Sequence, residues 1–400
     1  MAHAAIHRYN HRRSTVNRTY IHHLADWPQF FWDSNPVAEA LLPVRHRQGL
    51  LLGRMSSLSP TAQQDASLAA LTDDAVRTSA IEGEALEPAS VRSSIARNLH
   101  LNRAGLEAPS RGPDRTKADA IVTVLLDATQ RFAAPLTRER LFGWHAALFP
   151  TGFSGMRRIE AGQWRTDRDG PMQVVSGRDG RERVHFEAPA AARVATEMTR
   201  FLDWFERRDT AVGGAHLDPV LRAAIAHLWF LTIHPFDDGN GRIGRAIADM
   251  ALARGDGSSL RFYSLSAAIE ANKDEYWNEI ERAQRASLDI TRWLLWFIEC
   301  LDQALARAAE TTEVVRTRAA IWALAERERP LHARQRLVLA RLLGEQGEFE
   351  GFLNSSKYAK LAKCSTDTAL RDITDLLARG VLVRNSAGGR SASYRVANDR

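Results

Sequence analysis

Residues 234–245 read HPFDDGNGRIGR, and within twelve positions they gather one histidine, two adjacent aspartates, three consecutive turn-forming residues and two arginines. Folding alone does not call for that density of chemistry. The preceding run, Leu221 to Ile233 (LRAAIAHLWFLTI), is apolar at helical spacing, and Pro235 stops that helix just after it delivers His234. Gly239, Asn240 and Gly241 supply a tight turn whose backbone N–H groups can converge, and GRIGRAIADMALA continues as a second helix. Bare amides at a helix N-terminus form an anion site suited to phosphates. Arg242 and Arg245, three apart, share a helical face and can reach one polyphosphate. Asp238, beside the turn, can hold a Mg²⁺ ion that bridges phosphate oxygens. His234 adds a base whose unperturbed pKa is about 6.5.

The stretch matches the motif HPFx(D/E)GNGRxxR of Fic domains at every defined position, so the chain resembles a Fic-family nucleotidyltransferase. The resemblance implies transfer of AMP from ATP to a hydroxyl side chain of a target protein. Carried over residue by residue, it makes His234 the general base and Asp238 the magnesium ligand. Gly239, Asn240 and Gly241 become the anion hole for the α- and β-phosphates, and Arg242 and Arg245 the partners of the β- and γ-phosphates. Phe236 corresponds to a core anchor that orients the loop. Other readings of the stretch fare worse. Taken singly, His234 reads as a structural helix-end histidine and DDGNG as a surface turn. DDGNGRIGRAIA lacks the alternating acidic ligands and closing glutamate of a calcium loop. His227 and His234 stand seven helical residues apart, about 10.5 Å, too far to share a zinc ion.

The 400 residues suggest about two or three domains, and 44% hydrophobic content is enough for a substantial core. No apolar run approaches the roughly 20 residues of a membrane span. The N-terminus is basic and histidine-rich, without the apolar segment of a secretory signal. Two cysteines, Cys300 and Cys364, far apart in sequence, fit a reducing cytoplasm better than a disulfide framework. The net charge of +6 lies mostly at the C-terminal end, where residues 331–400 hold twelve Lys/Arg against seven Asp/Glu.

The expected fold is mainly α, a Fic-type helical core with a β-hairpin flap and a small C-terminal winged-helix domain. Residues 1–19 read as a disordered basic tail, with an expression tag or misassigned start as the competing reading. Residues 20–110 read as an N-terminal helical region in which Trp27, Phe30 and Trp32 pack onto a helix from Val37 to Met55. A further helix from Leu71 to Glu84 carries TSAIEG at 78–83. That string matches the (S/T)xxxE(G/N) inhibitory motif of self-inhibited Fic proteins, formed here by Thr78, Glu82 and Gly83. Thr78 and Glu82, four apart, lie on one helical face, and the resemblance pairs Glu82 with Arg245.

Residues 111–301 read as the Fic domain. Ala118–Arg131 and a helix capped by Thr137 precede the main β signal, Pro171 to Pro189, where MQVV and VHFE flank a turn-rich SGRDGRE. In Fic proteins a hairpin here clamps the target by strand addition, which makes Met172, Gln173, Val174 and Val175 the candidate target-binding residues; a merely structural hairpin is the alternative. Ser266–Leu301 reads as two helices, on which Tyr276 and Gln284 could face the adenine or simply pack. Residues 302–330 read as a connecting helix. Three helices between Arg334 and Arg379, then VLVRN, SAGGRSA and SYRV, give residues 331–400 the look of a winged helix-turn-helix that binds DNA, with Arg390 at the wing, or docks protein.

Together these readings describe a cytoplasmic, self-inhibited protein adenylyltransferase. It uses ATP and Mg²⁺, acts on a Ser, Thr or Tyr hydroxyl of a target protein, and could form a homodimer. The alternatives are a DNA-binding regulator whose Fic core senses nucleotide, or a Fic enzyme that removes AMP or uses another nucleotide.

Overall fold

The computed structural model describes residues 6–9, 19–101, 113–168, 170–177, 183–207, 211–212, 215–285, 287–344, 349, 351–385 and 392–397. The chain divides into two compact units, Met1–Ala309 and Glu310–Arg400, each taken by itself below.

In the first unit, strand β1 (Ile6–Tyr9) precedes helices α1 (Ser34–Ser56), α2 (Pro60–Ile81), α3 (Pro88–Asn98), α4 (Pro113–Gln130) and α5 (Arg138–Leu148). Short strands β2 (Phe153–Ser154) and β3 (Arg157–Arg158) lead to β4 (Met172–Ser176) and β5 (Arg183–Glu187). Helix α6 (Ala191–Glu206) and strands β6 (Ala211–Val212) and β7 (Ala215–His216) come before the central pair, α7 (Pro219–Ile233) and α8 (Asn240–Asp256). Helices α9 (Leu265–Ala271) and α10 (Lys273–Arg285) follow, and then α11 (Thr291–Glu326), whose residues from Glu310 on belong to the second unit.

Every residue of α7 from Ala223 to Ile233 is buried, as is every residue of α8 from Asn240 to Ala253. A helix buried all round is a core helix, and the other helices of this unit pack around that pair in one hydrophobic cluster, while the β4–β5 hairpin packs with Tyr20 in a small cluster of its own. Gly244 lets α8 approach α7 closely, since a Cβ there would lie 3.3 Å from the Leu231 side chain and 3.4 Å from that of His227. Trp293 of α11 closes the far side, stacking on His227 and donating its indole N–H to the Ala224 carbonyl at 2.9 Å.

Several elements depart from the sequence reading. Helix α2 begins at Pro60, where Ser59 caps it, and ends at Ile81 rather than running on to Glu84. Gly83 takes the left-handed conformation (φ +83°), and the N–H groups of Gly83 and Glu84 bond back to Ala80 and Ser79, which terminates the helix. The aromatic segment packs more widely than onto one helix. Trp27 donates to Glu197 of α6 at 3.0 Å, and Trp27 and Phe30 both set their rings edge-on to Trp229 of α7. Ser266–Leu301 holds parts of three helices, and the separate connecting helix at 302–330 is instead a continuation of α11 through Glu326, because no proline or glycine interrupts it.

The expected hairpin is present as β4 paired antiparallel with β5, and its turn over 178–182 lies outside the described residues. Residues Ile6–Tyr9, expected within a disordered tail, form β1 on the other edge of β4, giving the order β1-β4-β5. The rest of residues 1–18 lies outside the described residues.

The second unit has its own core. Helices α12 (Ala333–Leu342), α13 (Ser355–Ala362) and α14 (Thr366–Ala378) precede an antiparallel pair, β8 (Leu382–Arg384) and β9 (Tyr394–Val396). Lys363, in left-handed conformation, makes the turn between α13 and α14, and Ser365 caps α14. Arg390 lies outside the described residues.

Candidate active site

Helix α7 ends as expected. His234 is its C-cap, in left-handed conformation (φ +52°, ψ +58°), with its N–H bonded to the Phe230 carbonyl. A non-glycine residue held at positive φ is strained and persists only where its surroundings enforce it. Arg165 supplies much of that enforcement. Its guanidinium is fully buried, its Nε donates to the His234 carbonyl at 2.7 Å, its backbone N–H donates to the Pro235 carbonyl at 2.9 Å, and it also donates to the Pro189 carbonyl. The His234 ring is buried, with Nδ1 3.3 Å from the Leu231 carbonyl oxygen. A carbonyl only accepts, so this contact needs the proton on Nδ1 and leaves Nε2 as the basic nitrogen.

The loop from 235 to 239 is held from within. Asn240 accepts from the Phe236 N–H at 3.0 Å and donates to the Phe236 carbonyl at 2.8 Å. Phe236 is fully buried and stacks on His145 at 4.2 Å with 13° between the planes. His145 is thus a packing residue: it accepts from the Gly162 N–H at 3.0 Å, and burial pushes its pKa down to about 4. The two aspartates separate by role. Asp237 turns inward and accepts from the Glu160 N–H at 3.0 Å, while Asp238, half-buried, accepts from the Gly239 N–H at 2.6 Å and from the Ser154 hydroxyl.

Helix α8 starts at Asn240 and presents both arginines to the end of α2. Arg245 is 1% exposed; it donates to the Thr78 hydroxyl at 2.7 Å, to the Thr78 carbonyl at 2.9 Å and to the Glu82 carboxylate at 2.8 Å. Burial is the largest single influence and would lower its pKa, but Glu82 and Tyr276 together outweigh it and raise the pKa, so the guanidinium stays charged. Glu82 reaches this place as the C-cap of α2, and its carboxylate lies over Gly241: a Cβ on Gly241 would come 2.0 Å from Glu82 Oε1. The carboxylate therefore sits on the turn expected to take phosphates. Gly83 then swings the chain so that Glu84 binds Arg242 at 2.8 Å, with the Arg242 guanidinium over the Phe149 ring. Sequence reasoning missed Glu84, whose reach depends on the Gly83 turn, and Arg165, a loop arginine 69 positions from its partner.

Beside His234 and Glu82 opens a cavity of about 300 Å³, lined on one side by Val174, Val175 and Ser176 and on the other by α10 residues that include Trp277, Asn278 and Gln284. Of the four flap candidates, Val174 and Val175 line it; Met172 is packed against Tyr20, Phe186 and Ala188, and Gln173 donates to Glu187 at 2.8 Å. Gln284 lines the cavity. Tyr276 is fully buried, its hydroxyl 2.9 Å from His227 Nε2, and is not among the lining residues. Glu281 fastens the flap to α10, binding His185, Arg183 and Arg285, while Arg285 donates to the Val184 and His185 carbonyls.

These features make up one helical site: an imidazole at one helix end, a tight turn, and two arginines on the helix that follows. Residues 135–252 match the Fic/DOC family model, which places a Fic domain in that part of the chain. Residues 20–101 match a domain of unknown function, DUF4172. Protein adenylyltransferase fic-1 of Caenorhabditis briggsae is 33% identical over 96 residues, which are 24% of this chain and 16% of that protein. Protein adenylyltransferase Fic of Nematostella vectensis is 36% identical over 66 residues, 16% of this chain and 14% of that one. The chain thus matches less than a fifth of the length of either relative. The fold is similar to the crystal structure of a Fic family protein from Desulfovibrio desulfuricans G20, with a TM-score of 0.53 and 20% identity over 90% of this chain and 97% of that one.

Proposed function

We propose that this chain is a self-inhibited protein adenylyltransferase that moves AMP from ATP to a Ser, Thr or Tyr hydroxyl of a target protein. His234 Nε2 takes the proton of that hydroxyl as its oxygen bonds to the α-phosphorus, and the bond from the α-phosphorus to the bridging oxygen breaks to release pyrophosphate. The N–H groups of the 239–241 turn receive the α- and β-phosphates, and Arg242 and Arg245 the β- and γ-phosphates. The arginine pair so close to one basic histidine supports this reading over that of a nucleotide sensor, which needs no base.

Asp238 fits a magnesium ion. Gly239 and Ser154 orient its carboxylate, and among the described residues no three His, Cys, Asp or Glu side chains converge on a ready-made site. Magnesium suits such a place, because it binds through one or two carboxylates and takes its remaining ligands from phosphate oxygens and water. Bound there, the ion would neutralise phosphate charge.

The observation that carries the proposal is the position of Glu82. Its carboxylate lies on the phosphate turn and against Arg245, where a γ-phosphate has to bind, and Glu84 covers Arg242 in the same way. Two carboxylates on two arginines imitate the charge of the polyphosphate and exclude its productive pose. The test is incubation of Glu82→Gly with ATP labelled either at the α- or at the γ-phosphate. Transfer of AMP puts the α-label alone on protein; γ-label on protein indicates phosphate transfer, and no label from either refutes the assignment.

For residues 331–400, the order of α12, α13 and α14, the Lys363 turn and the β8–β9 pair support a winged-helix reading that binds DNA through α14. Retardation of duplex DNA by the full chain that weakens steeply with salt is the expected result. Flat salt dependence assigns the module to protein docking.

A further inference from the structure

We propose that the outer edge of β4 is a strand-docking surface which the chain fills with its own residues Ile6–Tyr9, and that this strand competes with the segment of the target to be modified. The proposal rests on the reading of the adjoining cavity as the place of AMP transfer. β4 carries β5 on one edge and β1 on the other. β1 runs antiparallel in the register Ile6↔Val175, His7↔Val174, Arg8↔Gln173 and Tyr9↔Met172. Val174 to Ser176 of β4 line the cavity beside His234 and Glu82, as do His185 and Phe186 of β5, so a strand added to the outer edge of β4 extends the sheet that walls that cavity. Such an edge offers main-chain N–H and C=O groups, which pair with any extended segment whatever its side chains. While β1 is paired, no other strand can take its place.

The composition of β1 makes it an occupant rather than an acceptor. Opposite the cavity-lining Val175 and Val174 stand Ile6 and His7, neither with a hydroxyl group. The one hydroxyl in the strand belongs to Tyr9, opposite Met172, three residues and about 10 Å along the strand from the Ile6–Val175 pair. A target segment therefore has to displace β1 and place its own Ser, Thr or Tyr opposite the Val174–Val175 end. This occupancy is separate from the Glu82 contact: one closes the edge for the target, the other closes the seat of the polyphosphate.

The test uses the full chain. Successive residues of a strand direct their N–H groups to opposite sides, so the double variant His7→Pro/Arg8→Pro removes one ladder donor whichever of the two faces β4. Backbone hydrogen exchange over Met172–Ser176 should then quicken about tenfold, the worth of one ladder hydrogen bond, relative to the unaltered chain. A fluorescein-labelled peptide of residues 2–18 should bind the proline variant about tenfold more tightly than the unaltered chain, whose edge is already taken. The variant His7→Ala/Arg8→Ala, which keeps both donors, should retain slow exchange. Unchanged exchange in the proline variant, equal peptide binding by both chains, fast exchange in the alanine variant, or AMP found on Tyr9 each overturns the proposal. Exchange and peptide binding need no catalysis. A Glu82→Gly chain that transfers nothing therefore refutes the proposed activity, while these two readouts still judge the strand.

Discussion

Removal of the Glu82 side chain probes the switch most directly, and the structure sets its size. The Glu82 carboxylate is 12% exposed and its Arg245 partner 1%, 2.8 Å apart, so the pair lies almost wholly out of water. Breaking one side of a buried pair costs about 3–5 kcal/mol, because the remaining charge is left uncompensated. Without nucleotide, Glu82→Gly should therefore be less stable than the parent. Taking about 3 kcal/mol and roughly 2–4 °C per kcal/mol, the first unit should melt about 6–12 °C lower. ATP with magnesium restores an anion to Arg245, so it should stabilise the variant far more than the parent. The same 3 kcal/mol, no longer opposing the γ-phosphate, corresponds to about a hundredfold gain in productive ATP binding and hence in self-labelling at subsaturating ATP. Differential scanning fluorimetry across an ATP series, beside labelling with α-phosphate-labelled ATP, measures both quantities. Arg245→Ala removes the lock together with the phosphate ligand, so Glu82→Gly/Arg245→Ala should be as inactive as Arg245→Ala alone. The switch is refuted by a Glu82→Gly chain that melts like the parent, gains nothing from ATP and labels no faster, or by a double variant as active as Glu82→Gly.

Four other outcomes are expected. In the Glu82→Gly background, His234→Ala should slow AMP transfer by about 10² to 10⁴ while fluorescent ATP analogues still bind, as loss of a general base requires. Asp238→Ala and EDTA treatment should give the same loss of transfer, and activity that survives in metal-free buffer excludes the assigned role. Glu84→Ala should raise labelling by less than tenfold, well short of Glu82→Gly, because the Glu84 carboxylate is 36% exposed and its pairing with Arg242 is weakened by solvent. Stability should also depend on acid. Burial lowers the pKa of His145 and of His227 from 6.5 to about 4, so the unfolded chain takes up protons first; their contribution is complete above pH 6.5 and is lost as the pH falls from there toward 4. Each histidine adds about 1.4 kcal/mol per pH unit within that window, and His145→Gln should show a shallower slope in denaturant titrations run from pH 7 to pH 4.

What the sequence determined by itself is the local chemistry of residues 234–245. Proline after a helical run, small residues in a turn and arginines three apart act through backbone geometry within a few residues, so HPFDDGNGRIGR already specifies a histidine at a helix end, an amide turn and a paired-arginine face. The Thr78, Glu82 and Gly83 pattern was legible through its resemblance to an inhibitory motif, although the helix expected to run on to Glu84 stops at Ile81. Tertiary structure alone decided how these pieces meet. That the end of α2 meets the start of α8 with Glu82 over Gly241, that Gly83 turns Glu84 onto Arg242, and that Arg165 crosses 69 positions to hold the His234 carbonyl all depend on packing between distant segments. A single glutamate or arginine in a loop carries no periodic signal. Strand β1 is the extreme case. Four residues in a basic segment have no strand signature of their own, and only the open edge of β4 gives their N–H and C=O groups partners.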